Sequence, residues 1–134
     1  MLKLFRIVEI KDYGNSLISS DLKRLKKLRS LEKDLETYFI AHKNTLLENG
    51  LLSCKIADGK TPDGLIYWVC KERVIVTNPK TGASDGCRLW FLIIFESPMK
   101  AHYVKTLLYS AKEEKKYPKD KCYQIIKKAL ESIL

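Results

Sequence analysis

Lysine, arginine and tyrosine supply the side chains of this sequence whose positions suggest chemistry. Lys71 and Arg73 stand two residues apart, so on a strand they would share one face of the sheet. Arg88 begins the apolar stretch "CRLWFLIIF", and Tyr109 and Lys112 close the next one, "AHYVKTLLYSAK". A cationic cluster with an aromatic residue at its rim can hold a phosphate and stack a base. The simpler interpretation is that these are ordinary charges at strand ends.

The common catalytic motifs are absent from the sequence, and a Cys–His nucleophile pair stays open although no spacing favours one. It contains no P-loop, no dinucleotide-binding glycine motif and no HExxH or GxSxG motif. His42 and His102 stand alone, which predicts structural or surface roles for both. Zinc sites usually present their ligands in close pairs, and no CxxC pair occurs, so we predict no metal and no cofactor. The four dispersed cysteines are Cys54, Cys70, Cys87 and Cys122.

The N-terminal part of the chain predicts one strand followed by helix. "LFRIVEI", from Leu4 to Ile10, alternates as a strand does, and "DYGNS" indicates a turn. Ser19 or Ser20 can cap a helix that ends at Asn49–Gly50. The sequence leaves open whether this is one long helix or a helical hairpin that breaks between Ala41 and Asn44. The apolar stripe of the helical region consists of Leu22, Leu25, Leu28, Leu31, Leu35 and Phe39.

Strand-forming residues dominate after Gly50. "LLSCKI" predicts a short strand, "ADGKTPDG" a loop, and "LIYWVCKERVIV" either one long strand or a hairpin that turns at Lys71–Glu72. A second loop, "TNPKTGASDG", precedes "CRLWFLIIF", which is nearly continuously apolar, as is typical of a central strand covered on both faces. "AHYVKTLLYS" returns beside it, and Pro118 suits the first turn of a final helix. This order predicts an α+β fold with a mostly antiparallel sheet of about four to five strands.

The two apolar strands are expected to bring the candidate residues together. If they form a hairpin around "ESPMK", the start of one strand lies beside the end of the other. Arg88 would then neighbour Tyr109 and Lys112 at one edge of the sheet. Because Arg88 follows a glycine-containing loop, we expect its side chain to reach solvent and its replacement by alanine to leave the fold intact. We expect Tyr109 to be exposed at the strand end.

Length and charge limit the kind of protein and its partners. The 134 residues are predicted to form a single domain, residues 1–134, with its own core. No apolar run reaches the roughly 18 residues that a membrane span needs, and charges interrupt the N-terminus at once, so we predict a cytoplasmic protein. The net charge of +9 attracts polyanions such as nucleic acid or a ribosome.

The C-terminal third resembles a known family of toxins. The passage from "GASDGCRLWFLIIF" to "LLYSAKEEKKYPKDKCYQIIKKAL" is similar to the C-terminal half of RelE/HigB-type toxins of bacterial type II toxin–antitoxin systems. In that family a glycine-rich loop leads into a strand that begins with arginine, and a hairpin brings in a strand with a tail of tyrosine, lysine and glutamate. This chain is longer than typical members, above all in the helical region and from Leu51 to Pro79. The matching positions are Gly86, Arg88, Leu89, Trp90, Leu107, Leu108, Tyr109, Lys112, Glu113 and Lys115.

The resemblance implies a RelE-like fold and a metal-independent mRNA endoribonuclease that inhibits translation. The implied partners are mRNA, the ribosome and a cognate antitoxin. The ribose 2′-OH would attack the adjacent phosphate, with Arg88 stabilising the phosphoryl charge, Tyr109 positioning the nucleotide and Lys112 neutralising phosphate. The residues that would bind RNA are Lys71, Arg73, Lys80, Lys115 and Lys116.

Two other functions fit the same residues. A sister branch of this superfamily shares the fold but poisons DNA gyrase. A basic RNA-binding module would use the same surface to bind without cutting. Cleavage of translated mRNA distinguishes the endoribonuclease from both.

Overall fold

A computed structural model describes residues 6–133 of the chain. Within these residues, five strands and three α-helices follow one another. In chain order they are β1 (Glu9–Asp12), α1 (Ser19–Arg24), α2 (Leu31–Asn49), β2 (Lys55–Lys60), β3 (Ile66–Val74), β4 (Cys87–Ser97), β5 (Lys100–Ser110) and α3 (Lys119–Ile133). Short 3₁₀ turns at Ser16–Ile18 and Ala111–Lys116 lead into α1 and α3.

The strands form one sheet in the order β1-β5-β4-β3-β2. The β2–β3, β3–β4 and β4–β5 pairs are antiparallel, whereas β1 runs parallel to β5. The predicted α+β class is confirmed, but the sheet is mixed, with a parallel edge that the sequence did not predict. Helices separate β1 from the other strands along the chain, so no tight hairpin forces it to run antiparallel to its neighbour.

Strand β4 lies at the centre of the sheet and is buried from Cys87 to Phe95, as its apolar sequence predicted. Successive side chains point to opposite faces, so the strand contributes to two cores. Leu89 and Phe91 pack with apolar residues of α1 and α2 on one face. Trp90 and Leu92 pack with residues of α3 on the other. From Leu89 to Phe95 the strand has no polar residue because both faces are covered.

The first strand differs from its prediction. Part of the predicted range, at Leu4 and Phe5, lies outside the described residues, and the observed strand extends from Glu9 to Asp12. Residues 6–8 precede it without belonging to it, although the Arg6 and Val8 backbone amides donate to the carbonyls of Pro98 and Met99.

The helical region is broken at residues 25–30, not between Ala41 and Asn44, where α2 is continuous. The leucines at 22, 25, 28 and 31 are spaced by three residues. In a straight helix, each leucine would therefore lie about 60° around the helix axis from the one before it. Leu22 and Leu31 would then face opposite sides. Turns at residues 25–30 keep both leucines against the same core. The predicted end at Gly50 is confirmed.

Strand β2 corrects its prediction, and β3 confirms one of the two predicted alternatives, a single long strand. The short strand begins at Lys55 rather than Leu51, and it includes Gly59, which was predicted to lie in a loop. The Tyr67 ring lies across Gly59, where a Cβ atom would be 2.5 Å from the tyrosine hydroxyl oxygen, so glycine serves close packing rather than a turn. Strand β3 does not turn at Lys71–Glu72, since its pairing with β4 continues in register through both residues.

Candidate nucleic-acid interface

Three neighbouring strands bring the predicted cationic residues together. Arg88 on β4 pairs with Arg73 on β3 and with Tyr109 on β5, and Lys71 pairs with Trp90. Paired residues lie on the same face of a sheet, so all five side chains belong to the face that α3 covers. The predicted proximity of Arg88 and Tyr109 is confirmed. We call Lys71, Arg73 and Arg88 the cationic cluster.

The Arg88 side chain is buried, so the prediction that it reaches solvent is wrong. The residue is only 3% exposed. Its guanidinium donates hydrogen bonds to the carbonyl oxygens of Ala83 at 3.1 Å and Ser84 at 3.2 Å. The loop before β4 therefore covers the arginine. The guanidinium has several N–H donors, and two of its hydrogen bonds go to loop carbonyls that lie outside the strand pairing.

Glu114 supplies the carboxylate nearest to the cationic cluster. Its Oε1 atom lies 3.4 Å from Arg88 Nε and 4.0 Å from Lys71 Nζ, and its side chain is 47% exposed. Arg73 is exposed, and no ion pair to it occurs within residues 6–133. Arg73 and Arg88 lie directly opposite each other on β3 and β4, and their like charges repel. An anion beside them therefore stabilises the folded state. Sequence reasoning missed Glu114 because it stands in a lysine-rich segment.

Tyr109 is buried, which contradicts the prediction of an exposed aromatic residue at the strand end. It is 1% exposed, and its hydroxyl accepts a hydrogen bond of 3.1 Å from Trp90 Nε1. Burial raises the pKa of Tyr109 to about 12, so the hydroxyl stays protonated at neutral pH. Its position fits a supporting role under the surface better than contact with a nucleotide.

Tyr117 covers Tyr109 and is the aromatic residue nearer to solvent. The two rings stack at a centroid distance of 4.5 Å with an angle of 4° between their planes, and Tyr117 is half-buried. Lys121 Nζ lies 4.8 Å from the centre of the Tyr117 ring. An accessible ring beside a cation is the combination that stacks a base. No sequence pattern predicted this role, because a tyrosine before Pro118 is an ordinary residue at the start of a helix.

The remaining predicted lysines are exposed but are not all near the cluster. Lys112, Lys115 and Lys116 lie on the 3₁₀ turn that also carries Glu114. Lys80 lies in the loop after β3, where it forms an isolated bridge with Thr77. In the described part of the chain, no hydrogen bond or ion pair joins Lys80 to the cationic cluster.

A second cluster contradicts the expectation that no metal-ligand group exists. His42 is buried and lies beside Cys54 and Glu72, with ligand atoms all within 4.8 Å of one another. Both histidines, which stand alone in the sequence, have partners in the fold: His42 lies beside Cys54 and Glu72, and His102 lies near the surface beside Glu96. Sequence reasoning missed the group because its members are far apart in the chain. Cys70 and Cys122 are buried, as predicted.

Comparison of the chain with family models, with curated proteins and with solved structures gives no match. The likeness to RelE/HigB toxins therefore rests on the C-terminal motif alone. Among residues 6–133, no helix is long and apolar enough to cross a membrane.

Proposed function

We propose that this protein is an RNA-cleaving toxin that inhibits translation, as its resemblance to RelE/HigB toxins implies. The observation that carries the proposal is the position of Glu114 against Lys71 and Arg88, with the exposed Arg73 beside them. A carboxylate that contacts two cations marks a place where a phosphate can bind. The net charge of +9 favours the approach of such a polyanion. In this proposal an mRNA phosphate displaces Glu114.

The proposed reaction uses the 2′-OH of the RNA itself. The O2′–P bond forms while the O5′–P bond breaks, the 2′-OH loses its proton to the surrounding solvent, and the departing 5′-oxygen gains one. Lys71, Arg73 and Lys112 neutralise the phosphate, and Arg88 stabilises the charge that develops in the transition state. Because Tyr109 is buried, we assign base stacking to Tyr117, which Tyr109 supports from below.

Removing the competing carboxylate tests whether phosphate binds there. We expect Glu114→Gln to strengthen binding of a labelled mRNA-like oligoribonucleotide several-fold at low salt, because one repulsive charge is removed from the site. Glu131→Gln is the matched control, since it makes the same change of charge at an exposed position of α3. Fluorescence anisotropy measures both. Equal affinity gains in the two variants would show that only net charge matters and that the phosphate site is elsewhere.

The ends of the RNA products test the chemistry. We expect cleavage to persist in EDTA and to leave a 2′,3′-cyclic phosphate or the 3′-phosphate formed when it opens. Mass spectrometry of the fragments identifies these ends. Products with a 3′-hydroxyl would contradict attack by the 2′-OH.

A non-catalytic RNA-binding module is the second candidate, and one observation favours it. Arg88 and Tyr109, two of the three residues proposed for chemistry, are buried and hydrogen-bonded within the protein. Binding can proceed through Lys71, Arg73 and the exposed lysines without them. Tight RNA binding with no cleavage of translated mRNA would favour this function over the endoribonuclease.

A further inference from the structure

Three side chains with metal-binding atoms converge beneath α2, on the opposite face of the sheet from the cationic cluster. His42 comes from α2, Cys54 from the turn before β2 and Glu72 from β3. His42 Nε2 lies 3.1 Å from Glu72 Oε1 and 4.0 Å from Cys54 Sγ. A nitrogen, a sulfur and an oxygen from three separate elements thus lie within 4.8 Å of one another.

The separations of His42 Nε2 from the other two ligand atoms are close to those around a tetrahedral zinc ion. With Zn–N and Zn–O bonds of about 2.0–2.1 Å and Zn–S bonds of about 2.3 Å, neighbouring ligands lie about 3.3–3.6 Å apart. The observed separations of 3.1 and 4.0 Å fall on either side of that range. Shifts of about 0.5 Å would bring both into it. The thiolate favours zinc over magnesium or calcium, which prefer oxygen ligands.

The surroundings of His42 orient its ring for metal binding. Its Nδ1 atom lies 2.9 Å from the hydroxyl oxygen of Tyr103, which is buried, and its ring stacks on Phe91 at a centroid distance of 4.8 Å. Without a metal, Nε2 donates its proton to Glu72 Oε1, and a zinc ion would take the place of that proton while Tyr103 stays the partner of Nδ1. Histidine ligands in metal sites usually have such a hydrogen-bond partner behind them.

Solvent can reach two of the three ligands. Cys54 and Glu72 are each partly exposed. A fourth ligand position at this point can therefore be filled by water.

We propose that His42, Cys54 and Glu72 bind a zinc ion whose fourth ligand is water. Glu72 belongs to the same strand as Lys71 and Arg73, but alternate side chains of a strand point to opposite faces. The proposed zinc site therefore does not depend on the proposed function. The ligands of this site come from α2, from the turn before β2 and from β3. A bound ion would therefore hold α2 against the sheet.

The test uses the full chain, freed of metal by a chelator and kept reduced so that Cys54 and Cys70 cannot form a disulfide. Titration with Co²⁺ and then Zn²⁺ is followed by absorption spectroscopy and thermal unfolding. We expect one ion per chain, a thiolate-to-cobalt charge-transfer band, and a melting temperature several degrees higher with zinc, since an ion that binds only the folded state stabilises it.

Variants separate this site from adventitious binding. We expect Cys54→Ser to lose the charge-transfer band, and Glu72→Gln, whose side chain is partly exposed, to weaken zinc binding on the order of 100-fold. Tyr103→Phe should weaken zinc binding about 10-fold, because it removes only the partner behind His42. His102→Gln is the control, since His102 pairs with Glu96 at 3.2 Å without a thiol nearby. A parent protein without the charge-transfer band, or Cys54→Ser binding as tightly as the parent, would overturn the proposal.

Discussion

Arg88 illustrates how one side chain can belong to both the loop and the candidate site. Its guanidinium hydrogen-bonds to Ala83 and Ser84, and its Nε atom faces Glu114. Arg73, directly opposite on β3, has the same charge but is exposed. Comparing these two arginines therefore separates the effect of hydrogen bonds on stability from the effect of positive charge, since of the two only Arg88 donates hydrogen bonds to the loop.

We expect Arg88→Ala to lower the free energy of unfolding by about 1–3 kcal/mol, because it removes a buried side chain and its partly buried hydrogen bonds to the loop. Arg73→Ala should change stability by no more than about 0.5 kcal/mol, as is usual at exposed positions. Urea unfolding of both variants measures the difference. If Arg88 also stabilises the transition state, Arg88→Ala should reduce cleavage on the order of 100-fold under conditions where the variant is folded. Equal stability of the two variants would contradict the role of Arg88 in the loop.

The loop between β3 and β4 is held at both of its ends. Near β3, the Asp34 carboxylate on α2 accepts hydrogen bonds from the backbone amide and the hydroxyl of Thr77. Near β4, Gly86 packs directly against the backbone of Val74, and its carbonyl accepts from Ala111. The loop that covers Arg88 is thus attached to a helix, a strand and the turn that carries Glu114.

Gly86→Ala should destabilise the protein, because the new Cβ atom would lie 1.9 Å from the Val74 carbonyl oxygen. Overpacking of this kind costs about 1–3 kcal/mol. Gly82→Ala is the matched control in the same loop, since nothing lies within 4 Å of its Cβ position. Thermal unfolding of the two variants should show a loss for Gly86→Ala only. Similar melting temperatures for the two variants would contradict this expectation and would mean that the backbone at the start of β4 shifts to accommodate the new Cβ atom.

Asp34 should make stability depend on acid pH. Its hydrogen bonds from Ser30 and Thr77 outweigh burial and lower the pKa of the carboxyl group in the folded state. A lowered pKa gives stability that is fully present above the unfolded value of about 3.9 and is lost as pH falls towards the folded value. We therefore expect Asp34→Asn to be less stable than the parent at pH 7, with the difference shrinking at pH 3. Urea unfolding at the two pH values measures this, and a constant difference would contradict it.

The whole molecule presents two faces of one sheet with different chemistry. The face covered by α3 carries the cationic cluster and Tyr117, while the face covered by α1 and α2 contains His42, Cys54 and Glu72. Strand β3 contributes to both because its side chains alternate. The surplus of positive charge belongs to the molecule as a whole and draws it towards polyanions, whichever activity follows.

Induced expression tests the proposed toxin activity in the cell. We expect protein synthesis to stop and translated messages to be cut, while DNA replication continues at first. Pulse labelling of protein and DNA, together with mapping of mRNA ends, measures the three effects. Continued synthesis with blocked replication would instead indicate the gyrase-poisoning branch.

Local sequence was sufficient for those features that depend on neighbouring residues. The apolar run of β4, the β4–β5 hairpin around "ESPMK", the end of α2 at Gly50 and the start of α3 after Pro118 were all predicted. Each depends on strand pattern, turn residues or helix ends within a few positions. The proximity of Arg88 and Tyr109 followed because a tight hairpin leaves little choice of register.

Tertiary structure decided which of these side chains face solvent and which distant residues meet. The sequence could not show that the loop closes over Arg88 or that Tyr117 covers Tyr109, because both contacts arise from packing between elements. The helix break at residues 25–30 depends on a shared core that leucine spacing alone does not reveal. His42, Cys54 and Glu72 meet only when α2 lies on β3, since burial and long-range contact are properties of the packed chain.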